Sequence, residues 1–120
     1  HAPATENDLF VGGDGNDELI GGFESDTLNG GDGDDLIRPS FGAHQAIGGA
    51  GKDTVSYLFE STGAIVDLED GSLNAGAALG DTLRSIENLE GNSSADILRG
   101  DNKANRLEGE DGNDILEGRG

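Results

Sequence analysis

The aspartates at 17, 26, 35 and 53 fall on one nine-residue series, interrupted by His44. The series reaches back to Asp8, and a second one carries Asp96, Asn105 and Asp114. Acid–base catalysis needs a pair of carboxylates in one pocket, not a long row of them. A row of like charges repels itself until a cation neutralises it, so this spacing points to metal binding. The chain has no cysteine and two histidines, neither in a cluster, which disfavours zinc. Oxygen-only donors suit a hard cation. Calcium accepts six to eight oxygens at about 2.3–2.6 Å in loose geometry, whereas magnesium asks for strict octahedra at about 2.0–2.1 Å.

The elements that must position these carboxylates repeat with them. "GGDGNDELI" opens at Gly12, "GGFESDTLN" at Gly21, "GGDGDDLIR" at Gly30 and "GGAGKDTVS" at Gly48. Each is a version of G-G-x-G-x-D-x-U-x, where U is a large aliphatic residue. The nine between Gly30 and Gly48 has Pro39 where the first glycine belongs, Phe41 at the variable third position, His44 in place of the Asp and Ala46 at the eighth position. One step back, "PATENDLFV" keeps Asp8 and Phe10. The first block therefore covers 3–56. A second block covers 91–120, through "GNSSADILR", "GDNKANRLE" and "GEDGNDILE". Between them, 57–90 is expected to be a non-repeat insert with β-strands. "TVSYLF" and "AIVDL" read as strands by their β-branched and aromatic content, "EDGS" as a turn, and Tyr57 and Phe59 as insert core. In this segment the nine residues Thr82 to Glu90 keep Leu89 at the eighth position. No segment shows a 3.6-residue apolar period, so almost no helix is expected. The three segments form one continuous domain.

Glycines admit the positive φ that a tight half-turn requires. The three residues x-U-x suffice for a very short strand with U pointing inward. Two nonapeptides then make one coil of a flattened solenoid, and every second turn stacks on the same side. Neighbouring strands lie about 4.8 Å apart, so a cation between stacked turns sits roughly half that distance from each along the stack. Calcium fits that gap. One aliphatic side chain buried per nine ordered residues is a thin core, so the chain is expected to be largely unfolded without calcium and folded with it.

Composition agrees. There are 25 acidic and seven basic residues among 120, a net charge of −18, and 22 glycines. A polyanion is repelled by nucleic acid and by anionic membrane surfaces, so neither is an expected partner. No apolar run approaches spanning length, and no direct membrane insertion is expected. "GGAGKD" lacks the spacing and the hydroxyl residue of a phosphate loop, and the EF-hand pattern is absent. No Ser/His/Asp or Cys/His constellation can be assembled, so this chain is read as non-catalytic. "GRG" at the end stops where another repeat would begin, and the sequence reads as a piece of a larger protein.

"GGDGNDELI", "GGDGDDLIR" and "GGAGKDTVS" resemble the RTX (hemolysin-type) calcium-binding nonapeptides of secreted Gram-negative proteins. The stretch from Gly80 to Gly120 resembles the segments that join repeat blocks in large RTX toxins and adhesins. The resemblance implies an all-β, right-handed parallel β-roll with several calcium ions bound in the turns, here interrupted by the insert. In that family an ion takes carbonyls at positions two and four and the Asp at six from one turn. The turn two repeats later gives carbonyls at one and three and its own Asp. Carried over, one site uses Gly13, Gly15, Asp17, Gly30, Asp32 and Asp35. The next uses Gly31, Gly33, Asp35, Gly48, Ala50 and Asp53. On the opposite side Ala4, Glu6, Asp8, Gly21, Phe23 and Asp26 form a weaker candidate, and in the second block Asn92, Ser94, Asp96, Gly109, Asp111 and Asp114. His44 puts a site pairing it with Asp26 in doubt. The implied role is a calcium-driven folding module of a larger protein exported by type I secretion, a toxin, adhesin or enzyme, found outside the cell or on its surface. The implied partners are calcium and the other domains of that protein. The alternative is a non-catalytic carbohydrate-binding module, with polysaccharide as partner, since some relatives accompany polysaccharide-modifying enzymes such as mannuronan epimerases. Few aromatics and seven basic residues argue against it.

Overall fold

A computed structural model describes residues 9–21, 26–39, 43–58, 60, 62–69, 71–101, 105–110, 112 and 114–118. Within the first block the strands are three residues long and recur every nine. They are β1 (Leu9–Val11), β2 (Glu18–Ile20), β3 (Thr27–Asn29), β4 (Leu36–Arg38), β5 (Gln45–Ile47) and β6 (Thr54–Ser56). Beyond them come β7 (Ala64–Asp67), a 3-10 turn at Gly71–Leu73, β8 (Ala75–Gly76), β9 (Thr82–Arg84), β10 (Asn88–Glu90), β11 (Ile97–Arg99), β12 (Arg106–Glu108) and β13 (Ile115–Glu117). The fold is an all-β parallel roll. Among the described residues no α-helix occurs, as the absence of a 3.6-residue period implies.

Odd and even strands of the first block go to opposite faces, because each six-residue turn carries the chain across. One sheet has the order β1-β3-β5-β9, and the facing sheet runs β12-β10-β6-β4-β2. A third sheet has the order β13-β11-β7-β8. Partners in the repeats are parallel and two nonapeptides apart, as in Leu28↔Ala46 and Leu19↔Ile37. β6 pairs directly with β10 at the end of the insert, Val55 opposite Leu89. Thus β9 and β10 extend the sheets of the first block. Earlier in the insert, β7 and β8 form an antiparallel pair with Ile65 opposite Ala75. The strand read in "TVSYLF" ends at Ser56. Tyr57 leaves the sheet and is buried in the core, while Phe59 lies outside the described residues.

The core is the stack of inward residues at the eighth position. Leu28, Ile37, Val55, Leu89 and Leu98 are fully buried between the sheets, with Ala46 and Val66 among them. Burial fades towards the ends of the roll: Phe10 and Leu19 are half-buried and Leu116 is exposed. Each large core side chain contributes roughly 1.5–3 kcal/mol, which is modest for so many ordered glycine turns.

Candidate metal centre

The turns 12–17, 30–35 and 48–53 stack along one edge of the roll. Their glycines at positions two and four adopt left-handed φ: 89° and 93° at Gly13 and Gly15, 86° and 104° at Gly31 and Gly33, 89° and 102° at Gly49 and Gly51. Any other residue there is strained. The stacking is close. A Cβ on Gly31 would lie 2.5 Å from the Gly13 carbonyl oxygen, and a Cβ on Gly33 would collide with the Gly15 carbonyl. The carbonyls of positions two and four therefore face the next turn, where a shared cation would need them.

The carboxylates form a ladder up this edge. The Asp17 amide donates to Asp35 Oδ1 at 2.9 Å, and the Asp35 amide donates to Asp53 Oδ1 at 2.8 Å. Asp35 and Asp53 thus each commit Oδ1 to the fold. Oδ2 of Asp17, of Asp35 and of Asp53 is buried without a hydrogen-bond partner. Each Oδ2 lies over the first glycine of its own turn, so a Cβ at Gly12 would come within 2.6 Å of Asp17 Oδ2 and one at Gly48 within 2.5 Å of Asp53 Oδ2. A buried, ionised, unpartnered oxygen is costly unless a cation meets it. Desolvation raises the Asp53 carboxyl to about 6, opposed by the Asp35 amide bond and reinforced by the charges of Asp35 and Glu87. Oxygen-only donors, one free anionic oxygen per turn and carbonyls facing across each gap fit calcium. Of the remaining residues expected in these two sites, Gly30 and Gly48 begin their turns, and Asp32 and Ala50 have exposed side chains, leaving their backbone carbonyls as donors.

The opposite edge is built differently. The Asp26 amide donates to His44 Nδ1 at 3.0 Å, and the His44 amide donates to Asp81 Oδ1 at 2.8 Å. Tyr57 Oη donates to Asp81 Oδ2 at 2.7 Å. Asp26, His44, Tyr57 and Asp81 are all buried. A Cβ on Gly21 would meet the Pro39 carbonyl and the His44 ring. Here side chains fill the turn. Burial holds Asp81 up at about 7, helped by the nearby Glu60 charge and opposed by its bonds to His44 and Tyr57, and it pushes the Tyr57 phenol well above its usual range. Ala4, Glu6, Asp8 and Phe23 lie outside the described residues, so of that expected site only Gly21 and Asp26 are placed.

The second block continues the ladder on this side. The Ala64 amide donates to Asp96 Oδ1 at 2.7 Å and the Asp96 amide to Asp114 Oδ1 at 2.8 Å. Asp96 Oδ2 accepts the Asn92 amide at 2.9 Å, unlike its counterparts in the first block. Asn92 is buried and its Nδ2 donates to the Tyr57 and Thr62 carbonyls, tying the insert to this turn. The Ser94 carbonyl faces Gly112 as Gly15 faces Gly33. Gly109 begins the last described turn, and Asp111 lies outside the described residues. Separately, Glu90, Glu108 and Glu110 bring carboxylate oxygens within 4.8 Å of one another at the end of a sheet, with Glu110 exposed.

Sequence reasoning missed Asp81, Ser85 and Glu87. The signal for the first was present: "GDTLR" from Gly80 repeats the Asp-Thr-aliphatic core of "SDTLN" and "KDTVS". The Thr82–Glu90 unit hid it, because the structure puts Leu83 as well as Leu89 at inward positions and joins β9 to β10 by only three residues, Ser85–Glu87.

A family model for the RTX calcium-binding nonapeptide repeat matches residues 5–43 and 90–120 in four copies. No curated protein matches the chain.

Proposed function

Since the chain belongs to the RTX calcium-binding nonapeptide repeat family, we propose that it is a non-catalytic module that folds on binding extracellular calcium, as one part of a larger protein exported by type I secretion. The row of buried, unpartnered Oδ2 atoms on Asp17, Asp35 and Asp53 carries this reading. Two sites follow on that edge: Gly13, Gly15, Asp17, Gly30, Asp32 and Asp35, then Gly31, Gly33, Asp35, Gly48, Ala50 and Asp53. Bound calcium supplies positive charge between turns that would otherwise repel. The glycines shape the turns, the carbonyls face the gap, and the Oδ1–amide ladder aims each Oδ2. In the second block, Asn92, Ser94, Asp96, Gly109, Asp111 and Asp114 are a further proposed set, with Asp96 already partly satisfied by Asn92.

A folding switch of this kind needs weak sites, on the order of 10⁻⁴–10⁻³ M, so that the chain stays slack inside the cell and folds outside. Circular dichroism of the chain during a calcium titration tests it. The expected result is a cooperative gain of β signal in that range, reversed by chelator. A spectrum already β-rich in excess chelator, and unchanged by calcium, overturns the reading.

A further inference from the structure

The carboxylate ladder does not stop at Asp53. The Asp53 amide donates to Glu87 Oε1 at 2.8 Å, as Asp17 donates to Asp35 and Asp35 to Asp53. Glu87 also immediately precedes β10, as Asp53 immediately precedes β6, and the two strands pair in register from Asn88↔Thr54. The Ser85 carbonyl faces the Gly48 Cα where a Cβ would sit, as the Gly30 carbonyl faces Gly12. Thus a three-residue turn that carries none of the glycine pattern still presents a first-position carbonyl and a sixth-position carboxylate to the turn beneath it. Asp53 is fully buried, and its Oδ2 has no partner.

We propose that Asp53 and Glu87 hold a further calcium ion between the 48–53 turn and the short Ser85–Glu87 turn, so that the row of sites crosses from the first block into the last part of the insert. The remaining donors are the carbonyls of Gly49, Gly51 and Ser85. Gly49 and Gly51 repeat the positive φ of Gly31 and Gly33. The third-position carbonyl of a full turn has no equivalent in three residues, so this site has one protein donor fewer than its neighbours. Calcium tolerates water in such a place. The longer Glu side chain compensates for the shorter loop by reaching where Asp stands elsewhere. The consequence is structural. The Glu87 carbonyl accepts Asn105 Nδ2 at 2.8 Å, so an ion at Glu87 is linked by one residue to the turn of the second block.

The proposal rests on the reading that this edge binds calcium, and the test separates the two. Calcium binding by the full chain and its Glu87→Gln variant is followed by calorimetry, with ions counted by native mass spectrometry. Glutamine keeps the acceptor for the Asp53 amide and removes the charge. The variant is expected to bind one ion fewer, with the other sites within about twofold of their original affinity. An unchanged count and affinity overturns the proposal; no calcium binding by the unaltered chain overturns the family-based reading instead. Crystals of the unaltered chain grown in calcium give a readout independent of how the variant folds. An anomalous peak between Asp53 Oδ2 and the Glu87 carboxylate supports the site. An empty gap there, with peaks at the Asp17–Asp35 and Asp35–Asp53 gaps, rejects it.

Discussion

Asp35 stands between two gaps of the edge. Its Oδ1 accepts the Asp17 amide from below, its own amide donates to Asp53 above, and its Oδ2 is buried and open. Asp17 borders one described gap. Replacing either carboxylate by the isosteric amide keeps the Oδ1 acceptor and removes the anionic oxygen. Asp35→Asn is therefore expected to raise the calcium midpoint for folding by about tenfold or more, roughly the effect of losing 1.4 kcal/mol of binding, and Asp17→Asn by distinctly less. Calcium titrations of both variants by circular dichroism check the order. Equal shifts would mean that the two sites do not share Asp35. The identity of these residues was legible in the sequence, since a carboxylate at every ninth position with glycines before it has few other uses. Which oxygen stays free was not legible, because that depends on how the turn stacked two repeats away accepts or donates.

The regular strands were equally legible, because each needs only a turn and one inward residue. What the sequence hid was the join. A scan at fixed period assumes a six-residue turn between strands, and Ser85–Glu87 has three, so Asp81 falls outside any unit and Leu83 falls out of phase. The Tyr57–Asp81 bond is hidden for a different reason: its partners are brought together by the β7–β8 hairpin, and nothing local in either segment announces the other. Core strength along the elements follows the position of each strand in the stack. Ile37 on β4 lies between β2 and β6 and is fully buried, whereas Leu116 on the terminal β13 is 47% exposed. Ile37→Ala is expected to cost about 2–5 kcal/mol in saturating calcium, and Leu116→Ala about 1 kcal/mol or less. Urea unfolding of the two variants measures the difference. Similar losses at both would mean that the roll unfolds from its middle and its end with equal ease.

For the whole molecule, charge decides more than grease. A net charge of −18 must be folded into a roll 34 × 28 × 24 Å across. Cations relieve that repulsion, and protons can do the same. Asp81 is raised by burial from 3.8 to about 7, and Asp53 to about 6. Both shifts are upward, so the folded chain holds protons that the unfolded chain has released. Their contribution to stability is complete below about pH 4 and is lost as the pH rises through 6 and 7. From the Asp81 shift alone the upper bound is on the order of 4 kcal/mol. In calcium-stripped buffer, lowering the pH from 8 to 5 is therefore expected to increase the folded fraction, the reverse of ordinary acid denaturation. Asp81→Asn imitates the protonated state: its Oδ1 still accepts the His44 amide. That variant is expected to be more folded than the parent at pH 8 without calcium, and to lose much of the pH dependence. Circular dichroism across this range, for both proteins, decides it. A folded fraction independent of pH in the parent would show that burial of Asp81 is not felt by the fold. A rise that survives undiminished in Asp81→Asn would assign the effect to Asp53 and the overall fall in negative charge instead.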